Sequence, residues 1–343
     1  MMKRILVALL CATNGAAAFH TSPRLAPKRS APSYRSKVSS SNTFNVGGRS
    51  SKVPVSDAAA SSLGPLMLSS SGEDFCKLQG RKKRVVMGYR AMTALYTAVF
   101  FYSASKSIAV NTLLTILSYV AMPAGLSYIL ISAAKHDRLG SDTYKRINLS
   151  LLEYSILGLS VIKLSGRGNP ILKVSYLVTL INTIKGYAYG VLGLDKNGSD
   201  TLLQDFVKGI QSTIKGIFSD PKNLKSLGYL VATLLVASMK LLKLKEIFVA
   251  VQSAVPANEI AMLLARFNRL SLLALMVYTL KDAADRDRLG GTTFIQLNYL
   301  CALVLGIIGT LDGGLMTPLG GANTAFAAFF ALNGLSSYLG KKK

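Results

Sequence analysis

Asp137-Arg138-Leu139-Gly140-Ser141-Asp142-Thr143-Tyr144-Lys145-Arg146-Ile147-Asn148 returns 150 residues later as Asp287-Arg288-Leu289-Gly290-Gly291-Thr292-Thr293-Phe294-Ile295-Gln296-Leu297-Asn298. Six of the twelve positions are identical, and Tyr/Phe and Ile/Leu are close exchanges. Both copies lie between long apolar segments. The chain therefore reads as an all-α polytopic membrane protein built from a duplicated unit.

The duplication extends beyond this stretch. Gly88-Tyr89 with Thr93 and Leu95 matches Gly228-Tyr229 with Thr233 and Leu235, and Asn169-Pro170 matches Asn323-Thr324. Apolar runs predict eight transmembrane helices, at about 89–105, 108–134, 144–163, 171–192, 224–245, 257–283, 292–311 and 322–340. Each is near the length that crosses roughly 30 Å of hydrocarbon. Pro123 is expected to kink the second. Four helices per unit is an even number, so both copies enter and leave on one side and the repeats are parallel. The domain reading is a leader over 1–18, a presequence-like segment over 19–71, a first four-helix repeat over 72–194, a linker over 195–220 and a second repeat over 221–343.

Composition agrees with a membrane protein. The 343 residues are 50% hydrophobic, and the mean hydropathy is +0.37. The net charge of +24 would point to nucleic acid in a soluble chain. Here the charges flank apolar runs instead, and no nucleic-acid-binding pattern occurs. The three cysteines and two histidines are too few for a disulfide framework or a multi-histidine metal centre. No cofactor is expected.

The first residues form an address. Met1-Met2-Lys3-Arg4 precedes an apolar run, and Ala16-Ala17-Ala18 offers a small-residue cleavage site. Residues 19–71 hold fifteen serines, seven Lys or Arg, five prolines and one acid, Asp57. Ala17-Ala18-Phe19 ahead of this Ser/Arg/Pro-rich stretch resembles the bipartite plastid presequence of diatoms and related red-lineage algae. There a signal peptide leads into a transit peptide that starts with an aromatic residue. The resemblance implies a plastid membrane, thylakoid or inner envelope; an ordinary secretory leader would imply a secretory-pathway membrane.

One face of the predicted bundle collects Arg81-Lys82-Lys83-Arg84, Lys135, Arg138, Lys145-Arg146, Arg286, Arg288 and the terminal lysines, which makes it cytosol-like or stromal. In the linker, Leu202, Leu203, Phe206, Ile210, Ile214 and Ile217 recur at helical spacing, with Lys208 and Lys215 on another face. This reads as an amphipathic helix on the membrane surface or packed on the bundle. Asp220-Pro221 is read as the start of the helix that follows. The expected partners are membrane lipids, anionic ones included, and other proteins in the membrane.

The repeated motif is expected to be a tight helical hairpin. Gly140 and Gly290 fit a left-handed helix end, Thr143 and Thr293 or their neighbours fit caps, and Asp137, Arg138, Asp287 and Arg288 are turn charges. Asp-Arg-x-Gly between a second and third helix also resembles the loop signature of major facilitator transporters, which implies a gate that latches helix ends. Ala133 and Ala283 depart from that signature, as do Ser141-Asp142, Gly291-Thr292 and the count of eight helices. Within the apolar runs, Glu153, Arg266 and Arg269 are the candidate transport residues, with Glu153 and Arg266 as the expected intramembrane pair. Gly186 with Gly190, and Gly309 with Gly313, have the spacing of close helix packing.

No phosphate-binding loop, nucleophile elbow or light-harvesting ligand pattern occurs, and no catalytic residues are assigned. Two functions remain as expectations. One is a small-solute or ion transporter or channel with its pathway between the repeats. The other is a non-transporting scaffold, assembly factor or membrane-shaping subunit.

Overall fold

The structure is a computed structural model that describes residues 68–106, 109–166, 169–192, 202–217 and 219–340. The leader over 1–18, the 19–71 segment up to residue 67 and the polar break at 195–200 lie outside the described residues.

Among the described residues the chain is all helical. The α-helices are α1 Leu68–Ala104, α2 Val110–Lys135, α3 Asp142–Ser165, α4 Pro170–Leu192, α5 Leu202–Ile217, α6 Leu224–Gln252, α7 Ala257–Asp285, α8 Thr292–Leu311 and α9 Pro318–Gly340. A single 3-10 turn, Gly314–Met316, separates α8 from α9. Five of the nine are long and apolar enough to cross a membrane: α2, α3, α6, α7 and α8. The sequence predicts eight such spans; α1, α4 and α9 do not reach the same apolarity. The molecule is an all-α membrane protein.

Several boundaries differ from the sequence reading. α1 starts at Leu68 and carries Arg81-Lys82-Lys83-Arg84 within the helix. α6 starts at Leu224, not at Pro221, because the Asn223 side chain accepts from Ser226 N at 2.7 Å and caps it. α2 runs on through Pro123, and Ser127 Oγ donates to the Pro123 carbonyl at 2.7 Å. α9 opens five residues before Asn323, which therefore lies inside the helix. Gly313 falls beyond the end of α8, at φ 97°.

Neighbouring helices pack in order: α1 on α2, α3 on α4, α6 on α7 and α8 on α9, with α4 returning to α1. The two groups join through α3 on α7 and α2 on α8. This joint is reciprocal, since each group offers its second and third helices to the other's third and second. One apolar core runs through both groups without a break. It includes Leu126 and Leu130 of α2, Leu151 of α3, Leu273 and Met276 of α7, and Cys301 and Val304 of α8.

Inside an apolar bundle, polar side chains must bond one another. Tyr89 of α1 donates to Asn148 Oδ1 of α3 at 2.6 Å, and Tyr229 of α6 donates to Asn298 Oδ1 of α8 at 2.7 Å. Each asparagine then uses its Nδ2 on the carbonyl four residues back, Tyr144 and Phe294. All four side chains of the two pairs are buried. Glycine permits the close approach of α4: a Cβ at Gly186 would meet the Tyr89 hydroxyl, and one at Gly190 would lie 2.6 Å from the Leu139 carbonyl oxygen. On α8, a Cβ at Gly309 would lie 2.7 Å from Thr324 Oγ1 of α9.

The repeated motif is a helical hairpin, with a different residue at its pivot from the one expected. Asp137 and Asp287 hold the left-handed position, at φ 53° and 51°, while Gly140 and Gly290 have no positive φ. Arg138 N donates to Ala133 O and Arg288 N to Ala283 O, both at 2.9 Å. Asp137 N and Asp287 N reach Ala134 O and Ala284 O. That is the paired bonding of a Schellman end, with aspartate in the place glycine usually takes. Aspartate tolerates this conformation because its short polar side chain can bond locally. Thr143 and Thr293 are not caps: the N-cap positions are Ser141 and Gly291, neither with a side-chain cap bond.

The pivot makes a test. Asp287→Val, which puts a β-branched residue in the left-handed region, is expected to lower stability by about 1–2 kcal/mol. Gly290→Ala is expected to leave the melting temperature unchanged, because its Cβ would meet nothing within 4 Å. The reverse ranking in thermal melts would return the pivot to the glycine.

Candidate functional site

The two turns adjoin at one end of the bundle. Tyr144 OH and Thr293 Oγ1 are 2.8 Å apart. Between the turns lies a cavity of about 300 Å³ lined in part by His136, Arg138, Tyr144, Thr293 and Phe294. The aspartates differ in their surroundings. Asp137 accepts from Lys82 Nζ of α1 at 2.5 Å and from the Tyr189 hydroxyl of α4 at 3.0 Å. It thus ties the end of α2 to α1 and α4, although it is exposed like Arg138, Asp287 and Arg288.

Beside the turns, α5 is held down by charge. Asp205 accepts from Lys145 Nζ of α3 at 2.6 Å and from Tyr187 OH of α4 at 2.5 Å. At its other end α5 meets Lys281 of α7, which is 1% exposed. Lys281 Nζ donates to Gly216 O at 2.9 Å, to Ser219 O at 3.1 Å and to Ser219 Oγ at 2.6 Å. Its charge is met by Asp285 at 2.8 Å, and Asp285 also accepts from the Ser226 hydroxyl. Arg146 pairs with Asp282 at 2.8 Å and lies over the Tyr278 ring. α5 is therefore a surface helix latched to the bundle through polar bonds. Lys281, Asp282 and Asp205 were not singled out in the sequence. Lys281 with Asp285 has i,i+4 spacing at the end of an apolar run, and this was the available signal.

The candidate transport residues do not come together as expected. Glu153 pairs with Lys240 of α6 at 3.4 Å, not with Arg266, which is exposed. α6 continues to Gln252, so Lys240 lies twelve residues from its end, and its side chain reaches Glu153. Lys240 Nζ also sits 5.1 Å from the Phe267 ring centroid. The pair is partly exposed, which limits what it adds to stability.

Arg269 is placed at the joint between the two groups. Its Nη1 donates to Ser118 Oγ of α2 at 2.6 Å, and its guanidinium lies 5.0 Å from the Tyr119 ring centroid. Beside it, Asn268 Nδ2 donates to the Tyr154 carbonyl of α3 at 2.9 Å. The Tyr154 hydroxyl in turn donates to the Tyr119 carbonyl at 2.8 Å. Tyr119 and Tyr154 thus link the two polar contacts of α7. Among the described residues, the buried side-chain atoms without a hydrogen-bond partner are Asn268 Oδ1, Arg269 Nε, Ser271 Oγ and Asn323 Oδ1. Three of these four belong to one turn of α7. Asn323 donates to Asp312 at 3.2 Å, and Asp312 is a charged neighbour of Arg269. Ser118 and Tyr119 escaped the sequence reading, because a serine and a tyrosine in an apolar run carry no signal of their own.

Among the described residues no group of three or more His, Cys, Asp or Glu side chains could hold a metal ion. No family model, curated protein or solved structure matches the chain.

The latch on α5 is pH-dependent. Partial burial raises the Asp205 carboxyl, but hydrogen bonds from Lys145 and Tyr187 and the lysine charges outweigh it, so the group sits below its ordinary value. A depressed carboxyl contributes stability above its unfolded pKa of about 4 and loses it as pH falls through the lower folded value. Amide exchange along α5, relative to the intrinsic rate at each pH, is expected to speed up as pH falls below about 4. In Asp205→Asn it is expected to be fast already at neutral pH, for a loss of about 1–3 kcal/mol of docking. Identical α5 protection in the two proteins at neutral pH would contradict the latch.

Proposed function

We propose that this protein is a small-solute or ion transporter, with its pathway along the joint between two parallel four-helix repeats and α1, α4 and α9 completing eight spans. The observation that carries the reading is the polar turn of α7 at that joint. A half-buried guanidinium is costly in a bundle of this kind and is usually matched by a carboxylate. Among the described residues Arg269 makes no ion pair, although the Asp312 carboxylate lies near it, and the orphaned atoms around it would be a pure cost in a passive scaffold.

The duplication is supported by bonds that recur at matching positions. The two Tyr–Asn pairs, the two aspartate pivots and the reciprocal packing of α2 and α3 on α8 and α7 are what a two-fold axis along the membrane normal would produce. The contact between Tyr144 and Thr293 favours both turns on one side. The basic residues near that end favour a cytosol-like or stromal side, and the presequence resemblance favours a plastid membrane.

The unbroken apolar core through the joint also favours a second reading, a non-transporting scaffold with α5 as its docking element. In the transport reading the same core is the closed gate. Reconstitution of the purified protein in liposomes separates the two. Flux of at least one member of a panel of anions, alkali cations and neutral solutes is expected above that of protein-free vesicles. If every member crosses at the protein-free rate, transport is wrong and the scaffold reading takes its place.

A further inference from the structure

The orphaned atoms around Arg269 differ in kind, and the difference selects a ligand. Asn268 Nδ2 is committed to a main-chain carbonyl, which can only accept. The amide orientation is therefore fixed, and Oδ1 is left as an acceptor without a donor. Asn323 is fixed in the same way by the Asp312 carboxylate, and its Oδ1 is also an acceptor without a donor. Arg269 Nε is the opposite, a donor without an acceptor, while the Ser271 hydroxyl can serve as either.

A ligand that completes this set must accept at one atom and donate at another. Its charge follows from Arg269, a cation whose direct partners are a hydroxyl and an aromatic ring. A cation would be repelled. A halide or nitrate could accept from the guanidinium but would bring no proton for Asn268. An oxyanion that keeps a hydroxyl meets both needs; hydrogen carbonate, dihydrogen phosphate and small hydroxycarboxylates share that chemistry. Sites built to bond a hydroxyl reject analogues lacking it, because their own buried groups are then left unpaired. Asn268 is 2% and Ser271 4% exposed and Arg269 Nε is buried, so these groups have little water as an alternative, while the rest of the Arg269 side chain is half-buried.

We propose that Arg269 and Asn268, with Ser118 holding the guanidinium, form a binding site for a small hydroxyl-bearing oxyanion. This names the substrate class of the transport reading and rests on it. Arg269 supplies the charge-assisted bond, and Asn268 supplies the discrimination.

The test uses the full-length protein in detergent and in liposomes, with radiolabelled inorganic phosphate as the probe. Binding is expected to be saturable and displaced by bicarbonate, but not by nitrate or chloride at the same concentration. Arg269→Gln is expected to weaken it about tenfold or more, a loss of 1.4 kcal/mol or more. Asn268→Leu is expected to let nitrate compete as well as bicarbonate. Should Arg269→Gln fail to fold, Ser118→Ala leaves the charge in place, removes its holder and is expected to weaken phosphate binding several-fold. Equal competition by nitrate in the unaltered protein, undiminished binding in both Arg269→Gln and Ser118→Ala, or no binding at all would overturn the site. Phosphate binding without flux would keep the site and sink transport. Flux of a cation or neutral solute without phosphate binding would keep transport and sink the site.

Discussion

An apolar bundle offers no water to its polar groups, so every backbone end and buried polar side chain must find a partner within the protein. The architecture follows from how that demand is met. The ends of α2 and α7 are closed by their own turns through the Ala133 and Ala283 carbonyls. The hydroxyls of Tyr89 and Tyr229 are taken by Asn148 and Asn298, which tie the first helix of each group to the third. Lys281, buried to 1%, is surrounded by two carbonyls, a hydroxyl and a carboxylate. These bonds are directional where the apolar packing is not, and so they set which helices neighbour which.

Against that background the turn of α7 around Arg269 is the exception. The two buried cations described each have a carboxylate in direct contact: Lys281 has Asp285, and Arg146 has Asp282. Arg269 has a serine and a ring. The exception falls where α2, α3 and α7 meet, at the joint between the two groups of helices. A polar deficit at a joint is suited to a ligand that comes and goes, whereas the same deficit at a helix centre far from any seam would be only a defect. The charged network on α5 lies at the end of the bundle that carries the turns and is complete in itself, which separates a structural role there from a binding role at Arg269.

Much of this was legible in the sequence. The helix positions followed from apolar runs, five of which are long and apolar enough to cross a membrane, and the hairpin from the repeated Asp-Arg-Leu-Gly. The amphipathic linker helix followed from its spacing of Leu, Phe and Ile. What failed did so for local reasons. Glycine is the usual left-handed residue, so Gly140 and Gly290 drew the assignment; the hydrogen bonds put the pivot three residues earlier, on Asp137 and Asp287. Glu153 and Arg266 both lie within apolar runs, which suggests a pair, but partner choice depends on which helix faces meet, and α6 presents Lys240 to Glu153 instead. Arg269 was visible as a charge in an apolar run. Its lack of a carboxylate partner was not, since that is a property of its neighbours on α2 and α3.

The central claim is that two like groups of helices stand side by side with both turns on one face of the membrane. Side-specific thiol labelling tests it most directly. Single cysteines at His136 and Arg286, both exposed at the turns, are introduced in a background with Cys11 and Cys76 replaced; Cys301 is 1% exposed and is expected to be silent. In sealed vesicles of defined orientation, a membrane-impermeant maleimide is expected to label both positions from the same side. Labelling of one position from each side would contradict the account.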